Sequence, residues 1–139
     1  MFKHQTTKRV RYAETDKMGY LYYGHYAKYY EIGRVEALRK LGLSYKKMED
    51  DLGIMLPVLS LEARYKIPAY YDDEIKIETR LPTLPVKMFC FEHRLFNPQK
   101  QLINTATVKL FCIDMKSGHR VNTPALLVHK LTPYYEQEA

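Results

Sequence analysis

The run Tyr26-Ala27-Lys28-Tyr29-Tyr30-Glu31-Ile32-Gly33-Arg34-Val35-Glu36-Ala37-Leu38-Arg39-Lys40-Leu41-Gly42 decides how the rest of the chain must be arranged. Tyr26, Tyr30, Gly33, Ala37 and Leu41 recur at helical spacing, while Lys28, Arg34, Glu36, Arg39 and Lys40 fall largely off that stripe. The pattern predicts one amphipathic helix of about four turns, stopped by Gly42. Gly33 inside it costs roughly 1 kcal/mol against Ala, so another backbone is expected to approach closely at that face.

Toward the C-terminus, Ser44 reads as the N-cap of a short second helix ending at Gly53. The period then changes from that of a helix to that of a strand. Leu59, Leu61, Ala63, Tyr65 and Ile67 alternate with Ser60, Glu62, Arg64 and Lys66, a half-buried strand closed by Pro68. Ile75, Ile77, Thr79 and Leu81 repeat the alternation. Val86 to Phe96 is a third strand, and Leu102 to Met115 the longest, with Ala106, Val108, Leu110 and Cys112 on one face. Thr123 and Pro124 read as the N-cap and first residue of a last helix through Leu131. On the other side of the long helix, Val10 and Tyr12 alternate with Lys8, Arg9 and Arg11 in a weak strand. One long helix followed by four strands on short connections predicts a single α+β domain over residues 1–139. Its antiparallel sheet should curve around that helix.

At 139 residues the chain is long enough to bury a core without disulfides or metals. The formal charge of +6 raises the odds of an anionic partner, but the basic residues are scattered, with Lys8, Arg9, Arg11 and the pair Lys46 and Lys47 as the tightest groups. That argues for a solvated mixed surface rather than a nucleic-acid module. Cys90 and Cys112 stand in alternating apolar stretches without a CxxC neighbour and read as buried free thiols. Met1 to Val10 is polar and basic with no apolar signal region, so no membrane insertion and a cytoplasmic location are expected. Thirteen Tyr and no Trp suit a cleft wall or an oligomer interface.

The richest stretch for chemistry is Tyr12-Ala13-Glu14-Thr15-Asp16-Lys17-Met18-Gly19-Tyr20-Leu21-Tyr22-Tyr23-Gly24-His25, just before the long helix. It sets two carboxylates, a conformationally free glycine and a run of Tyr against a helix N-terminus, whose free N–H groups suit a developing oxyanion. Asp16 fits either an Asx turn or a base for hydrolysis. Glu14 reads as a solvated strand end, so Glu14→Gln is expected to be mild. His4, His93, His119 and His129 lack ligand spacing and read as surface or satisfied core groups; His25 suits a neutral donor or a cap. No metal site is expected, and the chain has no phosphate loop, GxSxG or HExxH motif.

The run from Val10 to Arg34 resembles the signature of the 4-hydroxybenzoyl-CoA thioesterase family, which includes many bacterial acyl-CoA thioesterases. The matching features are Thr15-Asp16, Gly19 three residues on, the pair Tyr22-Tyr23, Tyr26, and Glu31-x-x-Arg34 in the helix, with weaker agreement at Tyr65, Pro68 and Tyr71-Asp72-Asp73. The resemblance implies a hotdog fold, a sheet wrapped around one long central helix. It also implies a homodimer or homotetramer with active sites at the subunit interface. The implied activity is hydrolysis of an acyl-CoA to free acid and CoA without a cofactor, CoA being part of the substrate. In the family the residue matching Asp16 is the general base or nucleophile, and the backbone N–H matching Tyr23 polarises the carbonyl. Gly19, Gly24, His25 and Tyr26 are assigned to substrate binding. Many relatives carry His where this chain has Tyr23, which a main-chain role tolerates. Glu31 and Arg34 are expected to form an ion pair on the helix. Two alternatives stay open: hydrolysis of acyl-carrier-protein thioesters, and acyl-thioester binding without turnover.

Overall fold

The computed structural model describes residues 1–136. Strand β1 spans Phe2–Arg9 and is followed, after two short 3-10 turns, by helix α1 over Tyr26–Lys40 and α2 over Tyr45–Leu52. The strands β2 (Ile54–Met55), β3 (Val58–Tyr65), β4 (Glu74–Leu81), β5 (Met88–Phe96), β6 (Leu102–Asp114) and β7 (Arg120–Val121) come next, and α3 (Ala125–Leu131) and α4 (Pro133–Glu136) close the order. All strand pairs are antiparallel. The sheet runs β1, β4, β5, β6 and then β3, with β2 and β7 extending it along the far end of β6.

The alternation that predicted the strands also fixes the inner face. Ile75, Ile77, Phe89, Phe91, Val108 and Leu110 point inward and are buried, and α1 lies across β1, β4 and β5 with Tyr29, Tyr30, Ala37 and Leu38 buried against them. Each of the Ile, Leu, Val and Phe side chains among them contributes about 1.5–3 kcal/mol by leaving water. Gly33 is where helix and sheet come closest. A Cβ there would collide with Thr79 Oγ1 and come within 2.9 Å of Ile77 Cγ2, so the close approach is to sheet side chains rather than to another backbone. The helix wrapped by a curved antiparallel sheet is the expected hotdog arrangement.

Several local expectations are corrected. The N-terminal strand lies upstream of its weak pattern: it runs Phe2–Arg9, Val10 falls after its end and Tyr12 opens a 3-10 turn, while the strand's own inward positions His4, Thr6 and Lys8 are polar and leave no apolar alternation to read. Arg34 does not pair with Glu31. It turns inward and is buried, its Nε 3.4 Å from the Tyr45 hydroxyl and its Nη1 without a hydrogen-bond partner among the described residues, while Glu31 is exposed. Thr123 does not cap α3; its hydroxyl donates to the Val86 carbonyl at 3.0 Å and Pro124 takes the cap position. Ser44 does cap α2, accepting from the Lys47 N–H at 3.1 Å. His93 is buried but not fully satisfied: Nδ1 lies 3.2 Å from Thr79 Oγ1, and Nε2 has no partner among the described residues.

Strand β3 departs most from its reading as half-buried. Val58, Leu59, Leu61 and Tyr65 are exposed, and only Ala63 is partly covered. One edge of β3 pairs with β6, and the other pairs with nothing among the described residues.

Candidate active site

The loop between β1 and α1 folds as a small hairpin. Glu14 O accepts from the Tyr22 N–H at 2.9 Å, Thr15 and Leu21 form a bridge, and Asp16 N–H donates to Tyr20 O at 2.8 Å. Its tip turns through Gly19, whose φ of +81° is the left-handed conformation that glycine adopts without strain. Asp16 Oδ1 accepts from the Met18 and Tyr20 N–H groups at 2.9 and 3.1 Å, the Asx-turn geometry. Oδ2 has no partner among the described residues. One oxygen therefore fixes the carboxylate while the other stays available to solvent or substrate.

The hairpin returns into a 3-10 turn, Tyr23–His25, that runs directly into α1. A helix start leaves its first N–H groups unbonded, and those of Tyr23 and Gly24 have no acceptor among the described residues. They carry the partial positive charge of the helix N-terminus.

Asp16, Tyr23 and Tyr26 line one cleft of about 240 Å³, together with Met18, Tyr20, Leu21, Tyr65, Lys66, Ile67 and Pro68. The aromatic walls meet edge to face: the Tyr26 and Tyr65 rings lie 4.9 Å apart at 85°, and those of Tyr23 and Tyr65 6.4 Å apart at 82°. Burial raises the Tyr26 phenol above its ordinary pKa, partly offset by the Ala69 backbone N–H, so it stays neutral. Hollows of about 320 and 660 Å³ have sheet strands and their connections as walls, and one of about 300 Å³ lies between α2 and α3; none of the three is lined by Asp16 or by the start of α1.

The remaining expected substrate residues do not reach the cleft wall. Gly19 forms the turn, and Gly24 packs so tightly that a Cβ would come within 2.6 Å of the Tyr22 ring. His25 meets the same ring edge-on at 5.9 Å. Sequence reasoning missed Tyr65, Lys66, Ile67 and Pro68 as cleft residues, because they end a strand distant in sequence; the Tyr65 and Pro68 of the family pattern were the available signal.

Glu14 is the largest correction in this region. It is 4% exposed rather than solvated. Its Oε1 accepts from the Arg11 N–H at 2.9 Å, the Tyr29 hydroxyl at 2.8 Å and Lys8 Nζ at 3.1 Å, and its Oε2 pairs with Lys28 Nζ. Burial alone would raise its pKa. The bonds from Arg11, Lys28, Tyr29 and Lys8 outweigh that and hold it down at about 2.

A hotdog fold with this loop defines a class of protein. Residues 10–131 match the Thioesterase-like superfamily, and the chain belongs to it. It is 32% identical over 108 residues to YneP of Bacillus subtilis (strain 168), provisionally named an acyl-CoA thioesterase, with 78% of each chain covered. It is 30% identical over 106 residues to the acyl-CoA thioester hydrolase YbgC of Escherichia coli O6:H1, covering 76% of this chain and 78% of that one. Among solved structures, the DHNA-CoA thioesterase from Staphylococcus aureus superposes with a TM-score of 0.83 at 31% identity, covering 99% of this chain and 89% of that one.

Proposed function

We propose that this protein hydrolyses acyl-CoA thioesters to free carboxylic acid and CoA. The observation that carries the reading is one cleft that, among the described residues, holds a carboxylate oxygen without a partner, Asp16 Oδ2, beside a helix start with unbonded N–H groups. The relatives named for acyl-CoA thioester hydrolysis support it. In this reading the Tyr23 N–H donates to the thioester carbonyl oxygen and strengthens its hold as negative charge develops there. Asp16 acts either as base, taking a proton from the water that attacks the carbonyl carbon, or as nucleophile, forming a mixed anhydride that water hydrolyses to the free acid after the thiolate has left. The C–S bond then breaks and the thiolate leaves, needing little help from an acid. Tyr26 and the apolar wall hold the acyl group, and Gly19, Gly24 and His25 shape the loop behind it. Release of free thiol from a panel of acyl-CoAs of varied length and aromaticity tests the reading. Tight binding with no turnover across the panel would instead favour a binding module.

The reaction in this reading uses no metal or organic cofactor. Among the described residues no group of three or more His, Cys, Asp or Glu is placed to hold a metal ion, and the two cysteines are strand residues, with the Cys112 thiol raised by burial. Activity should survive a chelator, measured after exhaustive dialysis against it. Loss of turnover with the fold intact would refute this.

The working unit in this reading is a homodimer or homotetramer. The unpaired edge of β3 presents Val58, Leu59 and Leu61 to solvent, an apolar edge of the kind that monomers avoid. Pairing it with a second copy would extend the sheet and bring that copy beside Tyr65 to Pro68 at the cleft. Light scattering should give at least a dimer, and Leu61→Lys should shift it toward monomer with loss of activity. An active wild-type monomer at assay concentration would defeat the assignment. Among the described residues no helix is long and apolar enough to cross a membrane.

A further inference from the structure

We propose that Glu14 is a positioning residue for the hydrolysis: its carboxylate clamps the hairpin that carries Asp16 and leads into Tyr23 onto the first turn of α1. This rests on the reading of Asp16 as the group that acts on the thioester.

The clamp joins three parts of the chain at one buried group. Lys8 reaches it from β1, the Arg11 N–H from the start of the loop, and Lys28 and Tyr29 from the first turn of α1. The main chain of the same residue holds the other side of the hairpin, because Glu14 O accepts from the Tyr22 N–H at 2.9 Å. Glu14 therefore lies between the two candidate reactive groups in the ladder. Asp16 is two residues along one strand of the hairpin, and Tyr23 follows the residue bonded to Glu14 on the other.

Buried ion pairs contribute little net stability against well-packed apolar groups, since desolvation offsets their attraction. Their more definite effect is geometric. Four donors arriving from three directions fix where the Glu14 backbone lies, and with it the separation of the Asp16 carboxylate from the Tyr23 N–H. Among the described residues neither group has another side chain that ties it to α1: the Asp16 bonds are all within its own turn. A reacting group misplaced by about 1 Å loses up to roughly a hundredfold in rate, so a small shift of this hairpin is expected to appear in kcat.

The test is Glu14→Gln, alone and combined with Asp16→Asn, with kcat and KM on the best acyl-CoA of the panel. Thermal melting and light scattering on each variant confirm the folded oligomer. Gln keeps the volume and an acceptor for Arg11 and Tyr29 but loses the charge that holds Lys8 and Lys28. In the wild-type background kcat should fall about tenfold with KM within about twofold, the mark of an interaction felt in the transition state. In the Asp16→Asn background the same change should move the residual rate by less than about twofold, because the group being positioned is gone. A tenfold loss in both backgrounds would show that Glu14 acts independently of Asp16, overturning the clamp while leaving Asp16 as the reactive group. Normal kcat in folded Glu14→Gln would also overturn it. Near-normal kcat in Asp16→Asn alone would remove the underlying reading. If Glu14→Gln fails to fold, Lys28→Met is the second probe, since Lys28 is 46% exposed and supplies only the Oε2 contact. It should lower kcat severalfold at unchanged KM, and unchanged kcat would count against the clamp.

Discussion

Glu14 and Asp16 are carboxylates two residues apart on one loop, and the fold treats them in opposite ways. Glu14 is buried, both oxygens are bonded, and four donors hold its charge. Asp16 lines an open cleft with one oxygen spent on its own turn and the other unbonded among the described residues. A carboxylate saturated with donors cannot take a proton or approach a carbonyl without first losing bonds, whereas one held by a single oxygen is aimed and still reactive. The pair separates two tasks, fixing the loop and meeting the substrate.

The hardest blow to this division is Asp16→Asn. Asn retains an acceptor for the Met18 and Tyr20 N–H groups, so the turn and the stability should persist. It cannot take a proton from water or attack the thioester, so kcat should fall about a hundredfold or more. Steady-state kinetics beside a thermal melt decide it. Near-normal kcat in a folded oligomer would reduce Asp16 to a turn residue and erase the contrast with Glu14.

Little of that contrast could be read from the chain. The long helix was legible because Tyr26, Tyr30, Gly33, Ala37 and Leu41 keep one period and are all in the core, and β4 was legible because Ile75, Ile77 and Leu81 alternate with charges. Asp16 stood out through the company of Gly19 and the helix start. Glu14 did not, because its partners Lys8, Lys28 and Tyr29 are six to fifteen residues away and meet it only once the sheet and helix have packed. Its one local signal was a Glu three residues after Arg11, the accepting half of a capping box. Arg34 was misplaced for a related reason: a charged residue is expected outside, and nothing nearby in sequence announces Tyr45 as its neighbour. The β3 alternation was legible as a strand, but not its exposure: among the described residues Leu59, Leu61 and Tyr65 of the apolar face expected to be buried remain exposed.

Acid sharpens the comparison further. Burial, with the nearby Arg34 charge, lowers the His93 pKa from 6.5 to about 3, so the folded protein holds it neutral. An unfolded chain takes up that proton from about pH 6.5 downward. Stability from this group is thus complete above pH 6.5 and lost as pH falls toward 3, with a limiting slope of about 1.4 kcal/mol per pH unit, a factor of ten in the folding equilibrium. Glu14, lowered from 4.5 to about 2, has the same sign in a lower window: its contribution is complete above pH 4.5 and lost toward pH 2. Urea unfolding from pH 7 to pH 3 should show the decline beginning near 6.5 and steepening below 4.5, and Glu14→Gln should remove only the steepening. Because Glu14 stays ionised down to about 2, an acid limb in kcat above pH 3 would have to come from another group. A steepening of undiminished size in Glu14→Gln would count against a charge held on Glu14 and assign the decline to other paired carboxylates such as Glu78.

The smallest expected effect comes from Tyr29→Phe, which deletes one donor to Glu14 Oε1 and leaves the ring packed where it is. The Arg11 N–H and both lysines remain, so Glu14 is not orphaned and the full penalty of an unsatisfied buried charge is avoided. What is lost is one charge-assisted hydrogen bond, a stability loss of about 1–2 kcal/mol. The rate should change little, because Oε1 keeps two donors and Oε2 keeps Lys28, so both oxygens stay held, unlike in Lys28→Met where Oε2 loses its one contact among the described residues, and neither Asp16 nor the Tyr23 N–H touches the missing hydroxyl. Denaturant unfolding and kcat measured on the same preparation check both halves. A large fall in kcat with stability unchanged would place the Tyr29 hydroxyl in the reaction itself, and the division between a fixing and a reacting carboxylate would have to be drawn elsewhere in the loop.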